Sequence, residues 1–100
     1  MRNYPVLILH TLIETGAKAY SQSRIVHFKR DFSLTIPPFR GLVIEADDRD
    51  KSVVWSVKVD QVRYNVYSHT FTLTTESRTL DPRGFDSALF AMAHSWQEDK

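Results

Sequence analysis

The most constraining stretch of this 100-residue chain is residues 24–36, where Val26, Phe28, Phe32, Leu34 and Ile36 all occupy even positions and His27, Lys29, Asp31, Ser33 and Thr35 stand between them. Successive side chains of a strand point to opposite faces, so strict period two with one polar face predicts a half-buried antiparallel strand. Arg30 interrupts the apolar face, and a bend or a sheet edge is expected there. Pro37 and Pro38 then stop the ladder, because neither has an N–H to contribute to pairing. A short strand is expected over 41–46. The polar run "DDRDK", residues 47–51, reads as the loop of a hairpin.

The alternation resumes with Val53, Trp55, Val57 and Val59 on odd positions, then loses phase twice. Apolar residues move to Val62, Tyr64 and Val66, and afterwards to Tyr67, Phe71 and Leu73. One extra residue bulging out near Asp60 or Gln61 restores the inward phase after the first slip. A tight connection around Asn65 to Ser68 accounts for the second, since Asn tolerates a left-handed backbone. The expected strands are therefore 53–64 and 67–75, and neither slip requires a functional site.

The two ends of the chain read differently. "PVLILH", residues 5–10, is compatible with a buried strand or with a helix that has Asn3 as cap, Pro5 in its first turn and Gly16 at its exit. The helix, over about 6–15, is the preferred assignment. Near the other end Asp81 is placed to cap a helix with Pro82 at its first position, with Asp86 as the competing cap. Phe85, Leu89, Met92 and Trp96 recur at helical spacing and make one apolar stripe, which predicts a helix over 82–96 lying on the sheet. Glu98 and Asp99 then fall at the negative end of its dipole, where fraying is expected.

These elements give an α+β fold: a four-stranded antiparallel sheet, curved or rolled into a small open barrel, with a helix at each end of the chain. No repeat, low-complexity tract or Gly/Ser linker divides the chain, so residues 1–100 are read as one globular domain.

Composition narrows the functional classes. Thirteen Lys and Arg against twelve Asp and Glu give a formal charge of +1, too small for long-range steering toward nucleic acid or a membrane. The absence of cysteine excludes disulfides, thiolate nucleophiles and sulfur-ligated zinc. No run approaches the ~20 apolar residues that span a bilayer, and no signal-peptide core forms at the amino terminus. A soluble, cytoplasmic protein without membrane contact is expected.

Motifs for nucleotide binding, acyl hydrolysis and helical metal sites are missing, and the aspartates of residues 45–50 lack the spacing and Gly of a calcium loop. No metal and no cofactor are expected. Of the four histidines, His27 and His69 are the pair that adjacent strands would bring together for acid–base work. The chain is nevertheless read as non-catalytic. Phe39 and Phe90 are the aromatics expected in surplus of the core, and with them a protein partner or a second copy of the chain. The competing reading is single-stranded nucleic acid held by a sheet face bearing Lys29, Lys58, Arg63 and Tyr64.

Overall fold

A computed structural model describes residues 2–16, 24–48 and 53–99. Among these residues lie seven strands and one helix: β1 (Tyr4–Glu14), β2 (Ile25–Leu34), β3 (Val43–Asp48), β4 (Val53–Asn65), β5 (Thr70–Thr75), β6 (Arg78–Leu80), α1 (Pro82–Ala93) and β7 (Gln97–Glu98). The strands join in the order β3-β4-β5-β1-β2-β7, and β6 pairs with β1 beyond β5.

The helix expected over 6–15 is a strand. β1 runs through the middle of the sheet, paired on one edge with β2 and on the other with β5 and β6. Its even residues Val6, Ile8 and Leu12 are buried in the core, while its odd residues Leu7, Leu9 and Ile13 are apolar too. A strand apolar on both faces reads as a continuous hydrophobic run, and the period-two signal that marks its neighbours disappears. The expected four antiparallel strands are likewise corrected. The sheet is larger and mixed, because β1 pairs parallel with β5 (Val6 opposite Phe71) and with β6 (Leu12 opposite Arg78). Such pairings join segments distant in sequence and leave no local signature.

Boundaries shift for identifiable reasons. β2 stops at Leu34 as the chain bends toward Pro37, and β3 starts at Val43 after a turn in which Gly41 has φ 93°. Residues 66–69 form the turn between β4 and β5, so β5 begins at Thr70 instead of residue 67. That turn rests on Asn65, whose Oδ1 accepts from the N–H groups of Tyr67 (2.9 Å) and Ser68 (3.1 Å). The left-handed residue is His69, φ 55°, not Asn65. Of the loop expected over 47–51, Asp47 and Asp48 belong to β3, and residues 49–51 lie outside the described residues.

The expected bulge is present. Val59 pairs with Thr75 and Gln61 with Thr74, leaving Asp60 as the extra residue. Before it, Trp55, Val57 and Val59 face the core; after it, Val62 and Tyr64 return to the same face. The bend also divides β4 between partners, its first part pairing with β3 and its second with β5. The sheet curls far enough for the Trp55 ring to meet Phe32 of β2 at 5.7 Å and Trp96 at 5.1 Å between centroids. The result is an open half-barrel with one helix in its mouth. Arg30 enters this concave face, its guanidinium 4.3 Å from the Phe32 ring centroid, where the ring quadrupole compensates the charge.

α1 starts as expected: Asp81 caps it by accepting the Gly84 N–H at 2.7 Å, and Pro82 takes the first turn. A Cβ on Gly84 would lie 2.9 Å from Asp81 Oδ1 and would push the capping carboxylate aside. The competing cap, Asp86, instead accepts from Arg24 Nη2 at 2.7 Å. The same guanidinium binds Glu14 through Nε (3.1 Å) and Nη2 (2.6 Å) and lies 4.6 Å from the Phe85 ring, tying β1 to α1. The helix ends at Ala93, short of the expected residue 96, where the N–H groups of Ser95 and Trp96 both turn back to the Met92 carbonyl. Trp96 is still buried with Phe85 and Met92. The tail expected to fray is paired: Glu98 lies opposite Phe28, and the Asp99 N–H donates to the His27 carbonyl at 2.8 Å. Among the described residues no helix is long and apolar enough to cross a membrane.

Candidate functional site

Helix α1 and the curled β3–β4 arm cover only the concave side of the sheet. On the convex side Leu7, Leu9, Thr11 and Ile13 of β1 form a half-buried stripe. The register sets the stripe's neighbours. On β2 they are Asp31, Lys29, His27 and Ile25, in that order, and on β5 they are Thr72 beside Leu7 and Thr74 beside Leu9. Ile25 is 57% exposed. The centre is thus aliphatic, one flank is threonine, and the other carries Lys29 and Asp31.

A second surface lies where β4 turns into β5. Tyr64 packs against Phe71 (4.8 Å between centroids) and Phe71 against Tyr4 (6.3 Å). Tyr64 Oη is 3.1 Å from His69 Nδ1. Beyond this cluster the turn holds Val66 and Tyr67, the latter 93% exposed. Arg63, Tyr64, Asn65, Val66, Tyr67 and Thr72 line an open cleft of about 450 Å³ at this end.

The buried polar centre is His10. Thr75 Oγ1 lies 2.6 Å from His10 Nδ1 and 3.1 Å from the Leu9 carbonyl oxygen, so one hydroxyl joins the imidazole to the backbone of β1. Burial, with repulsion from the Arg78 guanidinium added, pushes the imidazole pKa from 6.5 down to about 4. Among the described residues, His10 Nε2 and the indole nitrogens of Trp55 and Trp96 meet no hydrogen-bond partner. The His10 and Trp96 rings are 6.2 Å apart, in the middle of the packed aromatic core.

The residues singled out from sequence fall in separate places. Phe39 is 53% exposed in the link between β2 and β3; Phe90 is 71% exposed on α1, its ring against His94. His27 and His69 do not meet. His27 is opposite Thr11 and bonds to its hydroxyl at 2.9 Å, whereas His69 precedes Thr70 at the far end of the sheet. About six residues along the strands and two strands across separate them, roughly 20 Å at ~3.3 Å per residue, which rules out the acid–base pair.

The basic and aromatic face is also dispersed. Lys29 pairs with Asp99 at 3.6 Å and Lys58 with Glu76 at 3.9 Å. Arg63 is opposite Thr72, on the convex side, and Tyr64 is opposite Phe71, on the concave side. Arg63 and Tyr64 nevertheless both line the open cleft by the turn, where the two faces meet at the end of the sheet. Among the described residues no group of three His, Asp or Glu side chains is placed to hold a metal ion. Neither the face on which the apolar run of β1 emerges nor the exposure of the Val66–Tyr67 tip was fixed by sequence reasoning. The signal for the first was present in the unbroken apolar run of β1.

Comparison with protein-family models, curated proteins and solved structures finds no match to this chain.

Proposed function

We propose that this protein is a small non-catalytic binding protein that associates with a second copy of itself through the convex face of its sheet. One observation carries the reading: β1 is apolar on both sides, and among the described residues only its inner side is covered by another layer. Strands of that composition belong to sheets packed on both faces. A second sheet laid on Leu7, Leu9, Ile13 and Ile25 supplies the missing layer, as in a sandwich with faces about 10 Å apart.

The flanks favour a like partner over an unlike one. Lys29 and Asp31 stand on the same face of β2, so a twofold arrangement brings the lysine of one copy toward the aspartate of the other. Phe39 and Phe90 belong to other elements and serve as further contact points for an adaptor role. Catalysis is not part of the proposal, since His27 and His69 are far apart and His10 is enclosed in the core.

Sedimentation equilibrium at micromolar concentration tests it. The native chain is expected to be dimeric, and the Leu7→Lys/Leu9→Lys double variant monomeric with an unchanged circular dichroism spectrum. A native chain that stays monomeric, or a double variant that stays dimeric, overturns the reading.

A further inference from the structure

The cleft at the β4–β5 turn combines features that the convex face lacks. No Asp or Glu occurs in residues 1–13, 32–44 or 61–75. The start of β1, the end of β2 and the β4–β5 hairpin come from these three segments, and the register brings them to one end of the sheet: Tyr4 lies opposite Leu34, Val6 beside Phe71, and Tyr64 opposite Phe71. Among the described residues, that end carries Arg2, Arg63 and His69, and the three segments that form it hold no carboxylate, although the whole chain is nearly neutral. Charge is thus segregated along the strands, and the aromatic cluster sits at the positive end.

From this arrangement we infer that the β4–β5 turn is a binding site for single-stranded nucleic acid. Tyr67 offers a ring face at the tip, beside an open cleft of about 450 Å³. A base stacked on Tyr67 places its phosphate toward Arg63, on the same cleft wall, with the Thr72 hydroxyl available for the sugar or phosphate. Stacking is indifferent to sequence because every base has a π face, so weak and unselective binding follows. An acidic peptide would satisfy Arg63 but would leave the exposed tyrosine ring unused. The long-range field stays small, and binding depends on this local patch. The inference does not rest on self-association through the convex stripe.

Fluorescence anisotropy with labelled oligo(dT), labelled oligo(U) and a labelled oligoglutamate peptide tests it at low and at physiological salt. Both oligonucleotides are expected to bind at low salt and to weaken as salt rises. Tyr67→Ala is expected to lower affinity about tenfold without altering the fold, because the side chain is exposed. Arg63→Gln is expected to weaken binding and flatten its salt dependence. The Lys29→Gln/Lys58→Gln double variant should bind like the native chain. The proposal is overturned by no oligonucleotide binding at low salt, by Tyr67→Ala binding unchanged, by the lysine variant losing affinity, or by the peptide binding as tightly as the oligonucleotides.

Discussion

The two sides of β1 differ by a single residue of offset and by almost everything else. Val6, Ile8, His10, Leu12 and Glu14 point into the half-barrel, where α1 and the β4 arm exclude water; Leu7, Leu9, Thr11 and Ile13 point outward and remain half-exposed. Hydrophobicity is similar on both sides, so it does not decide which one becomes core. The covering elements decide it, and they arrive from residues 53–96. The inner side is specific: it encloses a histidine bonded to Thr75 and a glutamate bonded to Arg24. The outer side is a plain aliphatic stripe that a repeated surface can match.

Five measurements would sharpen or break this contrast. The largest effect is expected on the inner side. Phe28→Ala should cost about 3–5 kcal/mol in urea unfolding, because it leaves a cavity in a closed core. Leu9→Ala, on the strand beside it but facing out, should cost well under half as much in dilute solution. If its cost rises with protein concentration, association covers the outer face. Equal costs at high dilution would erase the distinction between the two sides.

Acid should weaken the inner side next. His10 binds a proton less readily when folded, about 4, than when unfolded, 6.5. Between those values the unfolded chain holds more protons, so stability is fully present above about pH 6.5 and falls as the pH drops toward 4. The slope should not exceed about 1.4 kcal/mol per pH unit, and the total should reach on the order of 3 kcal/mol. Urea titrations at several pH values, repeated on His10→Gln, isolate the histidine: the variant should lose that part of the slope. A native protein equally stable at pH 7 and pH 4.5 would contradict the enclosed imidazole.

The helix that closes the inner side depends on its cap. Asp81→Ala removes the acceptor for the Gly84 N–H and should cost about 1 kcal/mol in thermal or urea unfolding. The smallest effect is expected at Phe90, on the outward side of the same helix. Phe90→Ser should change stability by less than about 0.5 kcal/mol. A larger loss would mean that the exposed ring is packed against something in solution.

Much of this architecture was legible in the chain, and the failures have a common cause. β2 and β4 have one polar face, so alternation exposed them, and the loss of phase at Asp60 located the bulge. Asp81, Pro82 and the stripe of Phe85, Met92 and Trp96 located α1. β1 escaped because its second face is apolar, which replaces alternation with a run that a helix can also display. The parallel pairings of β1 escaped because nothing near Leu7 refers to residue 72. For the site, surplus aromatics such as Phe39 and Phe90 were recognisable, but the gathering of Lys29, Lys58, Arg63 and Tyr64 was not testable by spacing alone. Arg63 and Tyr64 are adjacent in sequence and therefore face opposite ways, which the bulge makes hard to count.

The parallel neighbour of β1 has a further consequence for how the chain acquires its shape. Val6 waits for Phe71, and Leu12 for Arg78, so the innermost ribbon is made before every element that encloses it and is among the last to be covered. Until most of the polypeptide has been synthesised, both rows of β1 side chains can be shielded only by the return of β2 along one border. Such distant contacts slow folding and prolong the period in which a greasy segment is open to mispairing. During synthesis that segment therefore stays uncovered until the closing helix exists.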